Sequence, residues 1–568
     1  MKKQSIKVIA LLAIVGTFAT GCDLLKSLEY TVTPTPLEMH GDSVLVKVDV
    51  TFPEKGIHKK ASADITPMLG NTALKSIRVQ GEKATGNGEV VAYKVGGKVT
   101  YNDFVAYTPD MEAADLMITG KVFKGEKQKE EITPTKIADA TIITPYLVKK
   151  DFKVIIANDE FRRVTEETFV AQLNYSKGQS TVTSSEMRQD DIKSYQTFLE
   201  NAQVDPKVVL KSINITGFSS PEGEEDKNNS LSTDRAATGK TSAMKVAKNA
   251  NNETATGEIY KETGSGEDYD GFKNALSADN IMDEDDKNLV LRVLETISSP
   301  AEREKAMRDM GKTFSYLDKN IFPQLRRTEV VAVYDQTGFS DEELMDLSTS
   351  NPDTLNLEEL LFTASIYTDL NEKLRVYKIA ETRFSEDYRT SNNVGAVLYM
   401  QNKLSEAKGQ FEKANGIQDN AISKNNLGAI AGVNGNRTKS IDLLNQANGA
   451  GEEVNYNKGI LDIQNGDYAS AISRFGYFYK ASYNKALAQL LNGNAANAVT
   501  TINNSDDAES ARGYYLKAVA AARQDKLQDI VSNLMNVFSK DSSLKAKAAK
   551  DREFLKYMEN TSFSAIVK

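Results

Sequence analysis

The sequence has 568 residues, 70 basic and 79 acidic side chains, a formal net charge of −9 and 40% hydrophobic residues. That length predicts several domains, and the acid excess gives no long-range attraction to nucleic acid or anionic lipid. Only two histidines and one cysteine are present, and tryptophan is absent. Neither His40 nor His58 lies near a recognisable nucleophile motif, so general-base chemistry of the triad type has little to work with, and their separation of 18 residues matches no zinc-ligand spacing.

The first 22 residues read as an export signal: Lys2 and Lys3, an apolar stretch from Val8 to Val15, then Ala19-Thr20-Gly21-Cys22. The apolar stretch is shorter than the ~20 residues a permanent bilayer helix needs. Cys22, the only cysteine, follows a small residue at the end of this segment, which resembles a bacterial lipoprotein lipobox with Ala19 at its first position. The resemblance implies removal of residues 1–21, acylation of Cys22 and a membrane held through the lipid. Only isolated acids follow in Asp23-Leu24-Leu25-Lys26-Ser27-Leu28-Glu29, which favours an anchor facing the periplasm.

Residues 22–146 carry short alternating runs such as Val44 to Val50, Ser76 to Gln80, Val90 to Val95 and Leu116 to Val122, punctuated by Gly, Pro and Asn. That pattern predicts an antiparallel β-sandwich-like module. Nothing in it carries catalytic chemistry.

From Val208 to Thr216 the residues alternate into Gly217-Phe218-Ser219-Ser220-Pro221-Glu222-Gly223, followed by Asn228, Leu231, Ser232, Arg235 and Ala236. This strand-turn-helix pattern resembles the core of the OmpA-like peptidoglycan-binding domain. The resemblance implies an α+β domain over 150–337, closing with the strand after Arg326-Arg327, and a ligand site built from Ser220, Asn228 and Arg235. In that family an aspartate and an arginine grip the two charged ends of the diaminopimelate residue. Here Arg235 supplies the planar fork for a carboxylate, but Ser220 stands in the aspartate's place and offers an ammonium only a neutral hydrogen bond. Peptidoglycan is therefore a candidate partner, and a fold retained with its ligand lost is the alternative. Residues 249–320 read as an insertion, flexible to about 270 and then two or three helices. Gly239-Lys240-Thr241 and Asp283–Asn288 lack the glycines that a phosphate loop and a calcium loop require, and both read as helical segments.

After a linker over 338–353, residues 354–560 become helical with internal repetition. Gly395, Ala407, Phe411 and Ala414 fall at the spacings of the tetratricopeptide signature; Gly428 repeats the frame 33 residues on and Gly459 31 further, with Ala486 opening a shorter unit. The resemblance implies an all-α solenoid that recruits protein partners. Asn393, Asn426, Asn457 and Asn484 each stand two residues before the framing small residue. They predict a ladder able to pair with the backbone of an extended peptide, because a carboxamide both donates and accepts.

The order of segments resembles multidomain outer-membrane lipoproteins of Gram-negative bacteria. It implies a cofactor-free, non-enzymatic scaffold linking the outer membrane to the cell wall or recruiting proteins. An assembly factor or structural subunit without wall binding is the alternative, and a glycosidase working with carboxylates alone is a remote one.

Overall fold

The computed structural model describes residues 24–476 and 478–568. The signal segment and Cys22 lie outside them. The chain divides into two compact units, one of residues up to Asn158 together with Tyr367–Lys568, the other Asp159–Ile366.

The first unit opens with ten strands: β1 (Glu29–Thr33), β2 (Met39–His40), β3 (Ser43–Phe52), β4 (Ala61–Leu69), β5 (Thr72–Ala73), β6 (Ile77–Gly81), β7 (Glu89–Val91), β8 (Gly97–Ala106), β9 (Asp115–Lys124) and β10 (Lys127–Asp139). One sheet runs β1-β3-β2 with β8 on β3; the other runs β10-β9-β4-β6-β7 with β5 on β4. Alternate residues of β3 (Val44, Val46, Val48, Val50), of β4 (Ala61, Ala63, Ile65) and of β9 (Leu116, Ile118, Val122) meet in one core, so the period of two seen in the sequence becomes a two-layer packing. The chain is already part of this module at Leu24, whose N–H donates to the Glu130 carboxylate at 3.2 Å.

The second unit holds strands β11 (Val164–Asn174), β12 (Val208–Ser219), β13 (Tyr260–Glu267) and β14 (Arg327–Thr337) in the order β11-β14-β12-β13, with β13 parallel to β12 and the other pairs antiparallel. Helices α1 (Asp190–Val204) and α2 (Glu225–Asn249) bury Tyr195, Leu199, Ala243 and Val246 against Ile213, Ile215, Val330 and Ala332 of the sheet. Between β13 and β14 come α3 (Tyr269–Ala278), α4 (Glu284–Thr296), α5 (Pro300–Arg308), α6 (Lys312–Tyr316) and α7 (Phe322–Leu325), which share a core of their own around Phe272, Leu276, Phe322 and Leu325. Then follow α8 (Asp341–Ser350) and α9 (Leu357–Ile366).

Three expected boundaries move. The presumed loop of the insertion contains β13, whose Gly-, Glu- and Thr-rich sequence belongs to an exposed sheet edge. The two or three helices expected after it are five. The 338–353 linker is largely α8, capped by Ser340, whose hydroxyl receives the Glu343 N–H while the Glu343 side chain receives the Ser340 N–H.

Tyr367–Lys568 form stacked helical hairpins. After α10 (Leu370–Arg383) come α11 (Tyr388–Met400) with α12 (Leu404–Ile417), α13 (Ala421–Val433) with α14 (Arg437–Gln446), α15 (Glu452–Asn465) with α16 (Tyr468–Phe475), α17 (Tyr483–Leu491) with α18 (Ala495–Asn503) and α19 (Ala511–Ala522) with α20 (Leu527–Lys540), followed by α21 (Leu544–Ala548) and α22 (Thr561–Val567). The framing residues do what the spacing predicts: a Cβ on Gly395 would lie 2.8 Å from the Phe411 ring, and one on Gly459 2.8 Å from Phe475.

The β module is bonded to the later repeats. Arg523 donates to Glu38 at 2.6 Å and to the buried Glu553 carboxylate at 2.6 Å. Arg552 donates to the carbonyl of Ala113 at 2.9 Å, and His40 meets the Tyr468 ring edge-on. Arg523, half-buried, and the buried Glu553 form a pair with several hydrogen bonds, the arrangement in which such a pair offsets its desolvation cost.

Candidate functional site: an asparagine ladder occupied by its own chain

The four asparagines project from α11, α13, α15 and α17, the first helices of successive hairpins, and all four are buried. Each grips one residue of an extended segment of the same chain, which leaves the β module and runs against the order of the repeats. Asn484 accepts the Lys149 N–H at 2.9 Å and donates to the Lys149 carbonyl at 2.8 Å. Asn457 brackets Lys153 at 2.6 and 2.8 Å, Asn426 brackets Ile155 at 2.7 and 2.8 Å, and Asn393 brackets Ala157 at 2.7 and 2.9 Å. A second row reinforces the first: Asn425 donates to the Lys153 carbonyl, Asn392 to that of Ile155 and Tyr399 to that of Phe152. Bonds between repeats, such as Asn426 to Asn392 at 2.9 Å and Asn457 to Asn425 at 3.0 Å, fix each amide's orientation.

The asparagines read only backbone; side-chain fit comes from elsewhere. Phe152 is buried on α13, where a Cβ on Gly432 would come within 2.4 Å of its ring. Leu147, Val148, Val154 and Ile155 pack against the core of the repeats. Asp151 places a carboxylate oxygen 2.8 Å from the Tyr456 hydroxyl and 3.1 Å from Asn484 Nδ2, with Lys153 Nζ at 3.4 Å. Burial, reinforced by that carboxylate, raises the Tyr456 hydroxyl far above the usual phenol range, so it remains a donor. Gly432→Ala is expected to destabilise the chain by about 1–3 kcal/mol through overpacking. Phe152→Leu combined with it should recover part of the loss in a thermal melt, which a site without direct Gly432–Phe152 contact would not show.

Residues 150–157 thus belong to the repeats' face, whereas the resemblance assigned them to the α+β domain. Their apolar run, Phe152-Lys153-Val154-Ile155-Ile156-Ala157, has the composition of a strand, and here it is extended without joining a sheet.

In the α+β domain the three expected ligand residues come together at the junction of β12 and α2, but each is spent on the protein. Arg235 is 1% exposed. Its guanidinium donates to the carbonyls of Gln179 at 3.0 Å and Phe218 at 2.7 Å and lies over the Tyr175 ring at 5.2 Å. Burial pulls it down to about 10, still protonated at neutral pH. Asn228 donates to the carbonyls of Ser220 and Gly223 and to the Glu267 carboxylate at 2.7 Å. Ser220 is buried, with its hydroxyl 3.4 Å from Nε of Arg326.

Arg326 is the residue that sequence reasoning missed as part of this site. Its fork takes the Glu222 carboxylate at 3.1 and 2.8 Å and Asp318 at 3.0 Å, and Lys177 closes the group 2.8 Å from Asp318. The fork-to-carboxylate pairing at this site is thus made within the chain, by Arg326 and Glu222 rather than by Arg235 and a ligand. The signal lay in plain view as Glu222, two residues after the substituted aspartate position, and Arg326, in the arginine pair before β14.

No protein-family model matches the chain, and no curated protein matches it. Among solved structures, the crystal structure of yeast Tom70 aligns over 59% of this chain and 84% of that chain at 12% identity, with a TM-score of 0.26. The Cut9–Hcn1 hetero-tetramer of the APC/C aligns over 61% of this chain and 73% of that chain at 14% identity, with a TM-score of 0.31. At that overlap the repeat architecture rests on the helical hairpins themselves.

Proposed function

We propose that this chain is a non-enzymatic scaffold of the cell envelope, held in the outer membrane by lipid on Cys22, facing the periplasm, and serving as a structural subunit or assembly factor rather than a wall anchor. The observation that carries this reading is that both ligand-binding features offered by the sequence are filled from within: Lys149, Lys153, Ile155 and Ala157 occupy the asparagine ladder, and the carbonyls of Gln179 and Phe218 occupy the Arg235 guanidinium. A unit that spends such contacts on itself gains a fixed internal arrangement, and its partners must meet its outer surfaces. The lipid anchor rests on the lipobox-like Ala19-Thr20-Gly21-Cys22. The β module, which begins by Leu24, would then sit close to the bilayer.

The full chain incubated with purified sacculi is expected to stay in the supernatant after centrifugation; sedimentation that is lost in Arg235→Ala would restore the wall-linked reading. Cys22→Ser with an otherwise intact signal should leave the protein exported but released by a carbonate wash. Acyl chains contribute about 0.8 kcal/mol per buried methylene, so losing them moves the protein to the soluble fraction. Retention in the washed membrane would refute the lipid anchor.

A further inference from the structure

The position one residue before the ladder, Asn392 and Asn425 in the earlier repeats, becomes tyrosine in the later ones: Tyr456, Tyr483 and Tyr515, each three residues before a framing small residue, Gly459, Ala486 or Ala518. The outer two each hold a carboxylate. Tyr456 donates to Asp151 at 2.8 Å, and Tyr515 donates to Asp551 at 2.6 Å. Tyr483, between them in the repeat order, is 2% exposed, and its hydroxyl is buried without a hydrogen-bond partner among the described residues. Buried hydroxyls are nearly always satisfied, so an empty-handed one whose two tyrosine counterparts both grip a carboxylate calls for the same ligand.

The surroundings suit one. Tyr483 lines a cleft of roughly 510 Å³ beside the point where the extended segment reaches the ladder, together with Tyr146, Lys149, Asp507, Arg512 and Lys547. The Arg512 guanidinium lies over the Tyr483 ring at 5.8 Å and Lys547 Nζ over the Tyr515 ring at 5.3 Å. Neither cation has a carboxylate within ion-pair distance among the described residues, while Asp507 is already taken by Lys149 at 2.9 Å. Asp541, also on the cleft wall, accepts the Ser543 N–H and hydroxyl. The uncommitted groups are thus one phenol donor and two cations.

We propose that Tyr483, Arg512 and Lys547 form a subsite for an acidic side chain presented by an extended partner segment, one repeat beyond the place where this chain seats its own Asp151. Tyr483 donates to the carboxylate and Arg512 supplies the charge-assisted bond. The ladder ends at Asn484, because the equivalent position in α19 is Leu516, so the carboxylate rather than the partner's backbone provides the grip. The subsite does not depend on where in the cell the chain is held.

The test is calorimetric titration of the full chain with acetyl-Gly-Ala-Asp-Ala-Gly-amide and with its Asn counterpart. The acidic peptide is expected to bind at least about tenfold more tightly than the neutral one, the discrimination of one charge-assisted hydrogen bond. Tyr483→Phe and Arg512→Gln should each remove most of that preference. A structural role for the hydroxyl would lower the melting temperature of Tyr483→Phe, whereas a vacant donor leaves it unchanged or raises it. Equal affinity for the two peptides, no binding of either, or undiminished preference in a folded Tyr483→Phe would overturn the proposal.

Discussion

Replacing Asn426 and Asn457 together by alanine is expected to lower the melting temperature of the unit formed by the β module and the repeats by several degrees. From the sequence alone two outcomes stand: a ladder facing a foreign peptide could be cut without harm to the fold, whereas asparagines that cap or pack locally could not. In the structure each asparagine satisfies an N–H and a carbonyl of a segment already packed in the core. Leaving buried groups unpaired costs about 1–3 kcal/mol at each site. The pair together should remove roughly 2–6 kcal/mol, and each kcal/mol shifts the melting point of a large domain by about 2–4 °C. Differential scanning calorimetry of the full chain checks this, and an unchanged transition would mean that the ladder does not hold the segment.

Arg326→Met should be comparably damaging to the α+β domain. Arg326 and Glu222 are both largely buried, and removing one partner of a buried pair leaves an uncompensated charge, typically at a cost of about 3–5 kcal/mol. Ser220→Asp, the change that would rebuild the family's carboxylate, is expected to add a third acid around Arg326 and to leave sacculus binding absent. Gain of sedimentation by Ser220→Asp would show instead that the fork can be drawn away from Glu222. The same cluster carries a pH signature. The hydrogen bond from Lys177, aided by the nearby Arg326, holds Asp318 below the usual carboxylate range. A depressed folded-state value means that its contribution is present above the ordinary carboxylate pKa and fades as pH falls through the lower one, so the Arg326→Met penalty should be measured at neutral pH.

Much of the architecture was legible because it depends on period. The alternation in β3 and β9 announced a sheet buried on one face, and the recurrence of Gly395, Gly428 and Gly459 announced hairpins close-packed against Phe411, Leu444 and Phe475. Even the ladder could be read, since Asn393, Asn426, Asn457 and Asn484 keep phase with that frame. Its occupant could not, because an amide that binds backbone leaves no trace of its partner in either sequence. The one trace was the Gly432–Phe152 fit, a pair separated by hundreds of residues. The Ser340–Glu343 capping box marks the start of α8, although the segment around it is short and polar. At the Ser220 site a single substitution was visible, but the compensating Arg326, Glu222 and Asp318 meet only through tertiary folding.

The running direction of the extended segment has a bearing on biosynthesis. The clamped residues and their asparagines are 335, 304, 271 and 236 residues apart, and the α+β domain is made in between. A ribosome therefore delivers Phe152-Lys153-Val154-Ile155-Ile156 long before any helix exists to receive it, and then a complete second unit before the first receiving asparagine. Such non-local closure is slow, and during the wait an unpaired apolar, β-branched stretch is the kind that associates with other chains. Asn393, which holds Ala157 at the far end of the stretch, is the first clamp to be made and Asn484, which holds Lys149, the last, so the chain offers its clamps from the far end of the segment back toward the β module.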